Sequence, residues 1–344
     1  MIPAKRVGLF GVAAILAVGI AAGGAQGSGT SPSSKTSPAQ TYRIALILPD
    51  FTANELILDQ KNGAVAAAKK LGVTLMITGS GSAETQVKAV QDAIGAKVDA
   101  IVYNTIDAKA MAPAIRQAND AHIPVICSNS CTTGKHAVKV TFDYTLMGKL
   151  AGKWIASQLP DGKGTLGIVD TSRADASVQQ IYKGLYAGLK AAHATPSIKI
   201  SPPTNWDPAK ALTVSANFLT ANPNLDVLIC FHDLVANACR QSMNAGGYKH
   251  IPLAGLGGTC QGFSNMLKGR QDFTVAQFLY SAGDLGVVDA VDVLKGHPPK
   301  NRNQIAPMLG ITTADAKAIL AGTKKVPPGL GLREKIKRAS EGCK

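Results

Sequence analysis

The chain has 344 residues, 46% hydrophobic and only 5% aromatic, and 36 Lys and Arg against 22 Asp and Glu give it a net charge of +14. That length buries a sizeable core and accommodates two ordinary domains, while 35 glycines and 18 prolines suit a compact, loop-rich chain rather than a coiled coil or a disordered one. The charge does not mark a nucleic-acid binder: residues 323–344 hold seven Lys/Arg against Glu334 and Glu341, and no aromatic residue interleaves with them.

At the N-terminus, Lys5 and Arg6 precede the apolar run "VGLFGVAAILAVGIAA" (7–22), and Gly23 and Ala25 supply small residues for cleavage after about Ala25. Residues 1–25 read as a signal peptide and 26–41, rich in Ser, Thr, Gly and Pro, as a disordered tether. No later segment is apolar enough for a bilayer span, and the first cysteine is Cys127, far from the cleavage point, so no lipid-anchor cysteine is present. The expected location is the periplasm or the cell exterior.

From residue 42 short apolar runs alternate with helical periodicity. "YRIALIL" (42–48), "VTLMIT" (73–78), "DAIVYN" (99–104) and "IPVICS" (123–128) are apolar on both faces, as strands buried between helices must be. Between them lie helical patterns with Leu56, Ala64, Ala67 and Leu71, with Val87, Val90 and Ile94, and with Met111, Ile115 and Ala118 behind the cap Asp107. A second round follows residue 145: strands at 164–170, 197–201, 226–231 and 251–257 alternate with helices, one of them capped by Asp207 with Pro208 at its first position. The pattern predicts an α/β chain of two doubly wound parallel-sheet blocks, with strand "FTVAQF" (273–278) and helix 281–294 left to join one or the other. Ligands of such sheets bind at the carboxyl ends of strands, which singles out the loops near Pro49, Asn104, Ser128, Asp170, Pro202, Phe231 and Gly257. Trp206, one of two tryptophans, lies in one of those loops.

Catalytic and cofactor signatures are missing. There is no G-x-x-x-x-G-K-[ST], H-E-x-x-H or G-x-S-x-G, and "GLGGTCQG" (255–262) has Cys260 where a dinucleotide fingerprint needs its third glycine. Neither an enzyme nor a cofactor or metal site is expected. The six cysteines contain no C-x-x-C pair. Export permits disulfides. Cys127 and Cys131 flank a candidate cleft loop, and Cys230 with Cys260 end neighbouring strands that could carry a bridge; buried free thiols are the other reading.

Taken in order, "IALILPDFTANELILDQKNGAVAAAKKLG", "IPVICSNS", "DYTLMGKLAGKWIA", "NWDPAKAL", "LICFHDLVANACRQSMNAGG" and "LAGLGGTCQG" resemble the ribose-type periplasmic sugar-binding proteins of ABC importers, from about Tyr42 to about Ile311. The resemblance implies two α/β domains joined by three hinge strands: 42–142 plus 278–307, and 143–277 plus 308–322, with 323–344 left as a solvated basic tail. It implies a monomer that captures a small molecule, a monosaccharide or polyol first, and delivers it to an ABC transporter permease. A less polar cyclic or aromatic ligand, or a sensory role beside a membrane kinase, is the alternative. A repressor of the same fold would carry a DNA-binding headpiece where this chain has its signal segment. The ligand positions it implies are Asn54, Leu56, Asn129, Ser130, Gln179, Trp206, His232 and Gln277. Leu56 and Ile57 replace stacking rings, Asn129 and Ser130 an Asp-Arg pair, Gln179 an Arg and Gly257 an Asp, so the expected pocket is more neutral and more aliphatic than a ribose site.

Overall fold

The computed structural model describes residues 41–343 apart from 53, 174, 206, 249 and 328; the expected signal peptide and the tether up to residue 40 lie outside the described residues. Two six-stranded sheets organise the rest. The first runs in the order β11-β5-β4-β3-β1-β2, all parallel, from β1 (Arg43–Pro49), β2 (Thr74–Ser80), β3 (Ala100–Tyr103), β4 (Val125–Ser128), β5 (Val138–Thr141) and β11 (Asn303–Ile305). The second runs β12-β10-β9-β8-β6-β7, from β6 (Thr165–Val169), β7 (Ser197–Ile200), β8 (Val227–Cys230), β9 (Leu253–Gly257), β10 (Phe273–Gln277) and β12 (Met308–Thr312). It is parallel except where β12 meets β10. The inner strands form because their runs are apolar on both faces, whereas β2, expected to be buried on both faces, is an edge strand and largely exposed, as are the edge strands β7 and β11. Ile44 to Leu48 and the whole of β3, β4, β8, β9 and β10 are buried.

Helices cover both faces of each sheet. On the first, α1 (Glu55–Leu71) and α9 (Leu279–Leu294) pack on one face, α2 (Ala83–Gly95) and α3 (Ala108–Asp120) on the other. On the second, α4 (Tyr144–Gln158) and α5 (Ala176–Ala191) face α6 (Pro208–Ala221) and α7 (Asp233–Ala245) across the sheet. Side chains at the strand-to-helix junctions end each helix cleanly: Asn54, Ser82, Asp107, Asp143, Asp175 and Asp207 all accept amide hydrogens of the first turn. The two parallel-sheet lobes expected from the sequence are present, and the leftover strand and helix divide, β10 into the second sheet and α9 onto the first.

Two expectations are corrected. The solvated tail is folded: beyond α8 (Cys260–Leu267) and α10 (Thr313–Ala321), residues Leu332–Ser340 form α11, whose Leu332, Ile336 and Ala339 are buried in one cluster with Phe263, Met266 and Ile319. Positions 332, 336 and 339 are a helical stripe that the surrounding charge concealed. The Cys230–Cys260 bridge does not form. Register pairs Ile229 with Ala254, so the β9 partner of Cys230 is Gly255, while Cys260 lies beyond the strand in the first turn of α8. The disulfides join Cys127 to Cys131, Cys230 to Cys239 and Cys260 to Cys343, with no free cysteine among the described residues.

Candidate functional site

The carboxyl ends of the two sheets face a shared cleft of about 1040 Å³. From the first lobe, Asn54, Leu56, Ile57, Asn129 and Ser130 line it; from the second, His232 and Gly257; and Gln277, after which the chain crosses between lobes, completes the set. Sequence reasoning therefore placed seven described ligand candidates, Gly257 included, and Ile57 with them, around one space. Gln179 is not among them. It is exposed, and its Nε2 donates to the Arg173 carbonyl at 3.1 Å. The next residue, Gln180, lines the cleft instead, since one position on a helix turns a side chain by about 100°. Trp206 lies outside the described residues.

A buried amide network, unseen in the sequence, fixes the first lobe's loops. Gln60 donates to the Ser128 carbonyl and hydroxyl, both at 2.8 Å, and accepts from Asn104 at 2.8 Å. Asn104 in turn accepts from the Ser130 amide at 3.2 Å, while Gln86 donates to the Asn104 carbonyl and accepts from the Ile106 amide. Asn129, next to Ser130, holds a φ of 93°, a left-handed backbone that asparagine tolerates better than most residues. Its amide donates to Val140 at 2.7 Å, and the Cys127–Cys131 bridge closes the short loop around it. Gln60 and Gln86 are polar residues on apolar helix faces, which was the available signal.

Tyr144 from the second lobe donates its hydroxyl to Asn129 Oδ1 at 3.1 Å, leaving the Asn129 amide NH₂ to donate elsewhere. Burial pushes the Tyr144 phenol up to about 12, so it remains a neutral donor. Three carboxylates, Asp107, Asp143 and Asp175, also line the cleft, each with one oxygen engaged by the first turn of its helix. No Lys or Arg lines the cleft among the described residues, although the chain as a whole is strongly basic. The apolar wall comes from Leu56, Ile57, Phe142, Met147, Phe231 and Leu256. Such a surface takes a neutral ligand with hydroxyls on one side and C–H faces on the other; an anion would meet carboxylates without a cation to offset them. No group of His, Cys, Asp and Glu suited to a metal exists among the described residues.

His232 caps α7 through Nδ1, which accepts from the Leu234 amide at 3.2 Å, so the neutral ring carries its proton on Nε2. Burial pulls its pKa down to about 4. The folded value lies below the ordinary one near 6.5, so His232 contributes fully above pH ~6.5 and its contribution is lost as pH falls toward 4. We expect an NMR titration to find the Nε2–H tautomer unchanged from pH 8 to about 5. We also expect His232→Asn, which caps without titrating, to flatten the acid-side fall in Tm between about pH 6.5 and 4. Asp289, raised by burial to about 6, acts in the opposite sense in both proteins and cancels from the comparison. A His232 ring that titrates near 6.5 would refute the assignment.

Comparison with known proteins agrees with this geometry. A family model described as a periplasmic binding protein domain matches residues 44–298. The ribose import binding protein RbsB of Escherichia coli K12 is 30% identical over 258 residues, 74% of this chain and 85% of that one. The D-ribose/D-allose-binding protein of Pseudomonas aeruginosa is 27% identical over 278 residues, 75% of this chain and 84% of that one. Among solved structures, an ABC transporter periplasmic solute binding protein from Actinobacillus succinogenes 130z with bound D-allose superposes with a TM-score of 0.74 at 23% identity, covering 80% of this chain and 99% of that one. At that identity the superposition speaks for the fold.

Proposed function

The chain belongs to the periplasmic-binding-protein family, and from that premise we propose that it is an exported, non-catalytic solute-binding protein that captures a neutral monosaccharide or polyol between its lobes and delivers it, as a monomer, to an ABC transporter permease. The observation that carries the ligand class is the cleft's lining of amides and hydroxyls, with three carboxylates, an aliphatic wall and no Lys or Arg among the described residues. Asn54, Asn129, Ser130, His232 and Gln277 are the proposed hydrogen-bonding set, Leu56 and Ile57 the apolar face, and Trp206 the stacking ring. In this reading Gln180 and Ser177 take the place first given to Gln179. The first domain comprises 42–142 plus 278–307 and the second 143–277 plus the chain from 308 on, α11 included.

A thermal-shift screen tests the reading. D-Ribose, D-allose, D-xylose and myo-inositol are compared with a sugar phosphate and a sugar acid. A true ligand at ~100 times its Kd stabilises by about 2.7 kcal/mol. The two anionic sugars produce no shift, and Trp206→Ala removes most of the neutral ligand's shift. Small-angle scattering then shows compaction on binding. A sugar phosphate that outperforms every neutral sugar would overturn the charge argument; a normal shift in Trp206→Ala would remove the indole from the site.

A further inference from the structure

The C-terminal helix α11 lies beyond residue 298, where the family match ends, and touches both lobes. On the second lobe its hold is covalent and apolar. Cys343 is bonded to Cys260 in α8, and Leu332, Ile336 and Ala339 are buried against the α8 and α10 cluster. On the first lobe its hold is ionic. Asp59 of α1, only 6% exposed, pairs with Lys335, and Arg338 reaches the same carboxylate at 3.5 Å. Lys335 also donates to the Gly258 carbonyl of the second lobe at 3.1 Å, so one ammonium group joins the two halves. One turn before Asp59, the Glu55 carboxylate accepts the Cys260 amide at 2.8 and 2.9 Å, which places an acid on the N-terminus of α8. A hollow of about 440 Å³, lined in part by Asp59, Phe278, Tyr280, Leu330 and Lys335, separates the helix from the crossing segment at Gln277 and Phe278.

We propose that α11 is a cross-lobe latch, clamped to α8 by its disulfide and apolar stripe, that holds α1 against α8 through the Asp59–Lys335–Arg338 cluster and so limits how far the cleft opens. The logic is mechanical. Lys335 and Arg338 move with the second lobe and Asp59 with the first, so any rotation that parts α1 from α8 must break the ion pair and the Glu55–Cys260 hydrogen bond together. A lobe-closing element of this kind shifts the open–closed population whether or not ligand is present. The latch therefore stands independently of the ligand assignment.

The experiment uses the full exported chain without added sugar. Small-angle scattering and hydrogen exchange are recorded for the wild type, Asp59→Asn and Cys343→Ser, with circular dichroism to confirm folding. Both variants are expected to show a larger radius of gyration, and the amides of residues 258–262, together with the first two turns of α1, are expected to exchange about tenfold faster. The Cys260 amide reports opening without itself being altered in Asp59→Asn. If Cys343→Ser does not fold, Asp59→Asn decides alone, its change being isosteric. Superimposable scattering and unchanged exchange in a folded Asp59→Asn would overturn the proposal, whatever any sugar does.

Discussion

Gly184→Ala is expected to destabilise the protein by about 2 kcal/mol or more, although alanine is the better helix former by about 1 kcal/mol. Gly184 lies in α5 where it crosses α4, and a Cβ placed there would fall on the backbone carbonyl oxygen of Thr145. Gly148 meets the Ile181 carbonyl in the same way, Gly152 that of Leu185 and Gly188 that of Lys149. The obstructing atoms are main chain, so no rotamer change relieves them and the helices must separate. Overpacking of a well-packed core costs about 1–3 kcal/mol, occasionally more, and a backbone obstruction belongs at the upper end. The helix-propensity gain is therefore outweighed. Gly95→Ala in the last turn of α2 is the matched control: nothing lies within 4 Å of its Cβ position, so the same change there stabilises, by up to about 1 kcal/mol. Thermal melts of the two variants should move in opposite directions. A rise in Tm for Gly184→Ala would mean that the two helices have room to part.

The inner strands were legible because a strand buried on both faces leaves an unbroken apolar run, and nothing competes with that signal in β1, β3 or β8. The strand ends also fix which loops gather at one end of each sheet, while the cleft between two lobes and the residues lining it were implied by the family resemblance. What escaped depends on partners far apart in sequence. Gly148 with Gly152 and Gly184 with Gly188 stand at a spacing of four, a pattern visible on the page, yet only the crossing of α4 over α5 gives it meaning. The cysteine pairing needed the register of β8 and β9 and the position of α11, neither of which local pattern supplies. Asp107 and Asp207 were recognised as caps, but a cap that also lines a cleft looks no different in sequence from one that does not. Gln179 is exposed while Gln180 lines the cleft, because one residue on a helix turns a side chain by about 100°, a difference that no local pattern around 179–180 signals.

Asp233→Ala is expected to be the most damaging single change, a loss of about 3–5 kcal/mol from buried donors left short of an acceptor and a cavity. Asp233 is fully buried at the first position of α7, behind the loop that carries His232. Its Oδ1 accepts from Gln271 Nε2 at 2.8 Å and from Thr274 Oγ1 at 2.9 Å, and its Oδ2 accepts from the Thr259 amide at 2.8 Å. Burial raises its pKa and these three hydrogen bonds oppose the rise. The helix start adds a favourable field for negative charge. Truncation leaves the Thr259 amide and the Thr274 hydroxyl without this acceptor and Gln271 Nε2 with only the Phe273 carbonyl at 3.1 Å, each unsatisfied buried donor costing about 1–3 kcal/mol, plus the space the carboxylate filled. The damage has an address. Thr259 caps α8, whose first amide donates to Glu55 of the other lobe, and Gly255 and Gly262 approach so closely that a Cβ at either would run into Asp233. Asp233→Asn should lose less, because its carbonyl still serves Gln271 and Thr274, but its NH₂ must then face the Thr259 amide, donor against donor. The expected order of stability by denaturant unfolding is therefore wild type, then Asn, then Ala. Equal losses for Asn and Ala would mean that the charge, rather than the number of acceptors, holds this junction together.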